Sequence, residues 1–309
     1  MDRSPISAPP VDIGGIRGGD RDDTVASAIH RACVETGFFV VTGHGLEREI
    51  DEVFRVARAF FARSQAEKEQ IPRIDRYGYV PHADRAIDTS RTSGHTEYLD
   101  LGLHDEVPMP SVRGFADAVG AYQDRAIDVA GDLLAVMAES IGAGALFFRE
   151  RMHDPQCRLR MLHYFAADRE GDRVLPIPTR AHTDYGAITL LATDGVPGLE
   201  VEGLDGGWAP VEAPAGSLVV NLGDMLARWS NDRYRSTPHR VVGPVGRERF
   251  SIPLFVNPDP STVVECIPAC VSEDRPQRYG PVTAGDFLAG RIDGTIDPAR
   301  HRLDAGIGR

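Results

Sequence analysis

Residues 179–194, TRAHTDYGAITLLATD, set an imidazole at His182 two positions before a carboxylate at Asp184 and then run into an apolar stretch. Along an extended chain, residues i and i+2 point to the same face. If this segment begins extended, His182 and Asp184 aim at one spot while Thr183 turns away. One neutral nitrogen and one carboxylate oxygen converging in this way suit a first-row divalent metal. A surface His-x-Asp ahead of a strand has the same spelling, so the pair needs a third partner before it counts as a ligand set.

Outward from this stretch the chain reads as short strands. From Cys157 on, RLRMLHYF, AITLLAT, LEVEG, WAPVEA, SLVVNLG, HRVVGP and RFSIPLFVNP follow one another, parted by Gly, Pro, Asp and Asn. GLDGGW reads as a hairpin turn between two of them. Seven or eight strands at such spacing predict a jelly-roll barrel. The first half reads differently. Val25, Ile29, Ala32 and Thr36 trace a helix face that Gly37 stops, and FFVVTGHG follows as a buried strand. Ile50, Val53, Phe54, Ala57, Phe60 and Phe61 trace a second helix, and a long third runs from about Arg113 to Ile141. RYGYVPHADRAIDTSRTSGHTEYLDLG between them reads as irregular and polar, and VTAGDFLAGRI as a short helix near the end. The expected fold mixes α and β: a cupin-like double-stranded β-helix buttressed by N-terminal helices. It is expected as one domain, with 1–155 mainly helical, 156–260 the jelly-roll core and 261–309 a C-terminal extension.

Of 309 residues, 42% are hydrophobic and 26% charged, as in an ordinary globular protein, and 32 Gly with 22 Pro favour a turn-rich β body. The net charge of −12 argues against nucleic acid, whose binding rests on Lys and Arg contacts to phosphate. Cys33, Cys157, Cys266 and Cys270 are too scattered for a disulfide framework and read as reduced thiols. The opening MDRSPISAPP lacks the apolar core of a signal peptide, and DLLAVMAESIGAGALFF carries Glu139 and is too short to cross a bilayer. These features predict a soluble, cytoplasmic protein without a membrane or nucleic-acid partner; they leave its oligomeric state open.

His239, in STPHRVV, supplies the third partner. With His182 and Asp184 it would complete a two-His-one-carboxylate facial triad that leaves open positions on iron. Arg249 and Ser251 follow in RFS, on one face of a strand by the same alternation. A guanidinium fork beside a hydroxyl is a receptor for a carboxylate, because Arg binds both oxygens at once.

H-T-D at 182–184, N-L-G-D at 221–224, S-T-P-H-R at 236–240 and R-F-S-I-P at 249–253, in that order, resemble the iron(II)/2-oxoglutarate-dependent dioxygenases of the isopenicillin N synthase-like family. ACVETGFFVVTGHG at 32–45 is similar to that family's N-terminal part, and LRMLHYF at 159–165 to the strand entering its barrel. The resemblance implies that His182, Asp184 and His239 bind Fe(II). It implies that Arg249 and Ser251, assisted by Tyr164, hold the distal carboxylate of 2-oxoglutarate. It further implies that O2 is consumed and that succinate and CO2 are released as a small molecule is hydroxylated or desaturated, an amino acid, peptide or natural-product intermediate being the expected class. Asp184 retains the carboxylate that halogenating members replace, so halogen transfer is not expected. By family position Tyr79, Arg85, Arg91 and Phe255 are candidates for substrate contact; Leu190, Leu199 and Val201 are suited to lining the pocket, and core packing explains them equally well. His44 and His163 read as structural, and Asp224 as a turn-former beside the ligands. A same-fold oxidase that does not use 2-oxoglutarate and a non-enzymatic cupin-like metal-binding protein are the rival readings; the second leaves Arg249 and Ser251 unexplained.

Overall fold

A computed structural model describes residues 10–17, 23–81, 96–104, 107–166, 179–243 and 246–297. The first half contains β1 (Val11–Asp12), α1 (Gly14–Arg17), α2 (Asp23–Glu35), β2 (Phe38–Thr42), α3 (Glu47–Phe61), α4 (Gln65–Lys68), β3 (Gly78–Val80), β4 (Thr96–Leu101) and α5 (Phe115–Ser140). The second contains β5 (Arg158–Tyr164), β6 (Thr179–His182), β7 (Ile188–Thr193), β8 (Leu199–Glu202), β9 (Trp208–Pro210), β10 (Leu218–Leu222), α6 (Asp224–Trp229), β11 (His239–Val241) and β12 (Arg249–Val256). β13 (Val263–Val264), β14 (Val282–Thr283) and α7 (Ala284–Asp293) close the described chain.

Eight strands form the major sheet, in the order β1-β2-β10-β7-β12-β5-β4-β3, and four form the minor sheet, β6-β11-β8-β9. The major sheet is covered on both faces, which explains near-continuous apolar runs such as FFVV and LVV. Along β2, Phe39 and Val41 face the helices, whereas Phe38 and Val40 pack with Leu199, Val201 and Val219 between the sheets. On the helical side, α3 and α5 bury Val53, Phe60, Val119, Leu133 and their neighbours in the main core. Each such side chain contributes about 1.5–3 kcal/mol relative to exposure. The architecture is the expected jelly-roll.

One segment departs from the sequence reading. Within the stretch read as irregular, β3 and β4 pair with each other and β4 pairs with β5, so this part of the first half completes the edge of the major sheet. All six residues of β4 are buried, including two carboxylates. Asp100 accepts two hydrogen bonds from Arg160, at 2.7 Å each, and Glu97 accepts from Lys68 at 2.6 Å and faces His163 Nδ1 at 2.8 Å. Charged residues satisfied in pairs occupy a strand interior that composition alone reads as loop.

Candidate active site

The HTD stretch turns a corner rather than running straight. β6 ends at His182, and Asp184 lies in the turn that carries the chain from the minor sheet to β7 in the major one. The expected convergence is present, but the turn produces it instead of strand alternation alone. That turn is fixed from beneath: Asp224 N donates to Asp184 O at 2.8 Å, Met225 N to Gly186 O at 3.1 Å and Gly223 N to Ala187 O at 3.0 Å. A Cβ at position 223 would lie 2.2 Å from the Gly186 carbonyl oxygen, so glycine is required by close approach.

His239 pairs with His182 across β11 and β6, and their rings lie 4.3 Å apart. Each Nε2 is 3.8 Å from Asp184 Oδ1, and the three prospective ligand atoms lie within 4.8 Å of one another. The orientation of all three is set by second partners. His182 Nδ1 faces the Arg180 carbonyl at 2.8 Å and His239 Nδ1 the Thr237 carbonyl at 3.3 Å. A carbonyl only accepts, so both Nδ1 atoms carry hydrogen and both Nε2 atoms turn their lone pairs towards Asp184 Oδ1. Asp184 Oδ2 accepts from Thr189 Oγ1 at 2.6 Å and Asn221 Nδ2 at 2.7 Å, which leaves Oδ1 towards the imidazoles. Burial pushes the Asp184 pKa up; His239 and His182, when protonated in the metal-free site, and these two hydrogen bonds outweigh it and bring it down to about 2, and an arriving metal takes the place of those imidazole protons. Two neutral nitrogens and one anionic oxygen fit a divalent iron.

The three atoms face a cavity of about 90 Å³ between the sheets, also lined by Tyr164, Arg249, Ser251 and Phe255. On β12, Arg249 and Ser251 face this cavity, while Phe250 turns away to stack on His163 at 4.6 Å. Arg249 is 1% exposed; its guanidinium lies 4.8 Å from the centre of the Tyr164 ring and donates from Nε to Val196 O at 3.2 Å. Its Nη1 is buried and, among the described residues, has no hydrogen-bond partner. An unsatisfied buried guanidinium donor costs free energy unless an acceptor arrives, and a carboxylate is the fitting acceptor.

Other sequence expectations divide. Phe255 and Leu199 line the cavity. Tyr79 does not: the parity of β3 turns it towards Phe60, and its hydroxyl donates to Glu97, whereas its neighbour Val80 packs with Leu162 and Tyr164. Leu190 and Val201 pack in cores to either side, and Leu191 takes the lining position. Arg85 and Arg91 lie outside the described residues. His44 is buried against Gly216 O at 2.8 Å. Asp224 accepts from Arg291 Nη2 at 2.7 Å and from Thr183 Oγ1 at 3.1 Å beside the ligand turn. Sequence reasoning passed over Thr189 and Asn221, and it passed over Arg158 and Arg160, which share a β5 face with Tyr164 and line the cavity.

Residues 155–258 match the 2OG-Fe(II) oxygenase superfamily, and residues 8–117 match the family described as non-haem dioxygenase in morphine synthesis N-terminal. A 2-oxoglutarate-Fe(II) type oxidoreductase of Emericella nidulans is 31% identical over 93% of this chain and 90% of its own length. Gibberellin 20 oxidase 2 of Oryza sativa subsp. indica is 31% identical over 92% of this chain and 75% of its own length. A full-length Neurospora crassa protein solved in complex with alpha-KG superposes with a TM-score of 0.82 at 27% identity, covering 95% of this chain and 98% of that one. Sequence likeness over nearly the whole chain, the jelly-roll and the His-Asp-His cluster agree, and this chain belongs to the iron(II)- and 2-oxoglutarate-dependent oxygenases.

Proposed function

We propose that the chain hydroxylates a small organic molecule, with an amino acid, peptide or natural-product intermediate as the substrate class. In this reading His182, Asp184 and His239 hold the iron, and Arg249 with Ser251, beside Tyr164, binds the distal carboxylate of 2-oxoglutarate. The observation that carries it is the buried Nη1 of Arg249, without a hydrogen-bond partner among the described residues, in the same cavity as the three proposed ligand atoms. That donor calls for a carboxylate, which 2-oxoglutarate supplies, and a requirement for 2-oxoglutarate in turnover separates this reading from an oxidase that does not use it.

When bound, iron and 2-oxoglutarate supply the oxidising chemistry with O2, releasing succinate and CO2. The residues do the placing. Thr189 and Asn221 hold one oxygen of Asp184 and so aim the other. The carbonyls of Arg180 and Thr237 fix both imidazoles in the ligating tautomer. Leu162, Leu191, Leu199 and Val241 give the cavity apolar walls that exclude water. Asp184 fills the carboxylate position, so the product gains oxygen or loses two hydrogens and takes up no halogen; hydroxylation is favoured as the commoner outcome in the family. The four free, buried thiols support a cytoplasmic setting, and the strands that the first half lends to the major sheet support a single folding unit.

The test is incubation of purified protein with iron, 2-oxoglutarate and a panel of small molecules in chloride-containing buffer, with succinate and product mass as readouts. Succinate release that depends on 2-oxoglutarate, with a product one oxygen heavier, is expected. Turnover without 2-oxoglutarate, or a chlorinated product, overturns the reading.

A further inference from the structure

Three arginines line the cavity, and the reading above uses only Arg249. Arg158 and Arg160 stand on β5 in the same alternate series as Leu162 and Tyr164. Arg160 is satisfied: its Nε and Nη2 donate to the two oxygens of Asp100, and its guanidinium lies 4.2 Å from the centre of the Tyr98 ring. Arg158 is not. Its nearest anion is Asp100 Oδ2 at 4.0 Å, the oxygen already taken by Arg160 Nη2, and among the described residues it makes no hydrogen bond. Two guanidiniums thus share one carboxylate, and Arg76 adds a third positive charge close enough to act on Arg158. The Phe255 ring, 4.9 Å from the Arg158 guanidinium, backs it like a plate.

The sheet register fixes where this charge stands. Arg158 pairs with Phe255, Phe255 with Thr189, and Thr189 with Asn221, one rung across β5, β12, β7 and β10. Thr189 and Asn221 are the two residues that hold Asp184. Arg158 therefore stands level with the ligand carboxylate, two strands or roughly 10 Å across the sheet. Arg249 lies six residues further along β12, on the order of 20 Å of strand. The two arginines also differ in access: Arg249 is 1% exposed, whereas the Arg158 side chain is 26% exposed. The cavity has a closed cationic end and an open one.

Resting on the proposed function, we propose that Arg158 is the substrate's receptor and that the substrate is a carboxylic acid, its carboxylate paired with Arg158 while its apolar body lies between Phe255 and the ligand cluster. An uncommitted guanidinium presents a planar fork that matches two carboxylate oxygens, and a partly buried cation gains most from an anion that displaces little water. The closed end takes the co-substrate's carboxylate, so the two acids are read by different arginines.

The test uses the protein loaded with iron and 2-oxoglutarate under anoxia, so that binding is read without turnover. Benzoate, phenylacetate, 3-phenylpropionate and cyclohexanecarboxylate, each beside its primary amide, are titrated by calorimetry. The acids are expected to bind and the amides to fail. Arg158→Gln should weaken acid binding about ten- to a hundredfold, the scale of a lost charged hydrogen bond, while 2-oxoglutarate affinity stays unchanged. Arg158→Lys should keep the preference for acid over amide at reduced affinity, and if Arg158→Gln fails to fold this variant and the wild-type comparison decide. Amides binding as well as acids, acid binding that survives Arg158→Gln, or no acid binding at millimolar concentration overturns the proposal. Failure of the underlying reading looks different: the wild type then releases no succinate from 2-oxoglutarate at all.

Discussion

Replacing His182 or His239 by alanine is expected to abolish turnover and most iron binding while the protein stays folded. Both side chains stand at the cavity wall, outside the main core, so their loss removes a proposed ligand and little packing. Metal stoichiometry and circular dichroism of the purified variants check both halves; full turnover in either variant would remove it from the ligand set. Arg249→Lys keeps a positive charge but loses the fork. Its 2-oxoglutarate requirement should rise about ten- to a hundredfold, matching about 1.5–3 kcal/mol for a charged hydrogen bond, with the requirement for substrate much less affected. An unchanged 2-oxoglutarate dependence would put the clamp elsewhere. At this scale the convergence of side chains was readable wherever residue type and spacing repeat a strand's alternation, since H-x-D and R-x-S both reach the one cavity. The sequence misled at Tyr79, because the parity of a three-residue strand depends on its register with β4, which no local pattern reveals. Arg158 and Arg160 were legible in principle, since RLRMLHY already alternates towards Tyr164.

The helices and most strands follow their hydrophobic periods, and α3 buries all six of the residues its pattern selects. β4 escaped because its charges are neutralised by partners far away in sequence, Arg160 for Asp100 and Lys68 for Glu97, and β3 because three residues are too few to show an alternation. Short α6 escaped because six residues are too few to show a period. Near the chain's end, Thr283 Oγ1 accepts from Asp286 N at 3.2 Å and so caps α7. Thr283→Ala should lower stability by about 1 kcal/mol, the usual cost of a lost N-cap. Denaturant melts of the two proteins measure it; an unshifted midpoint would mean that water replaces the cap without loss.

For the molecule as a whole, the Glu97 cluster sets part of the acid limit. Burial raises the Glu97 pKa, but hydrogen bonds from His163, Lys68 and Tyr79 outweigh it and hold the carboxyl below its ordinary range. A depressed carboxylate contributes stability that is present above its unfolded value, about pH 4.3, and is lost as pH falls through the folded one. Glu97→Gln should therefore be less stable than wild type at neutral pH, with the gap narrowing below about pH 4. Midpoints of urea melts across pH 3–7 decide it, and a gap that stays constant with pH would assign the acid limit to other groups.

The proposed ligand set also draws on both leaves of the sandwich: His182 and His239 belong to the minor sheet, and Asp184 is anchored to Thr189 and Asn221 of the major one. An ion held by all three is then a staple between layers otherwise joined there by the apolar contacts of Phe38, Val40 and Val219 with Leu199 and Val201. Because such an ion binds the folded chain and not the unfolded one, at a hundredfold above its dissociation constant it adds about 2.7 kcal/mol to stability. Chelation should speed amide hydrogen exchange in β6 and β11 far more than at the paired centre of β5 and β12, and equal acceleration in both would contradict the staple. Iron starvation would then part the leaves around the cavity before the body of the fold melts, and the empty enzyme would be the one most exposed to proteolysis.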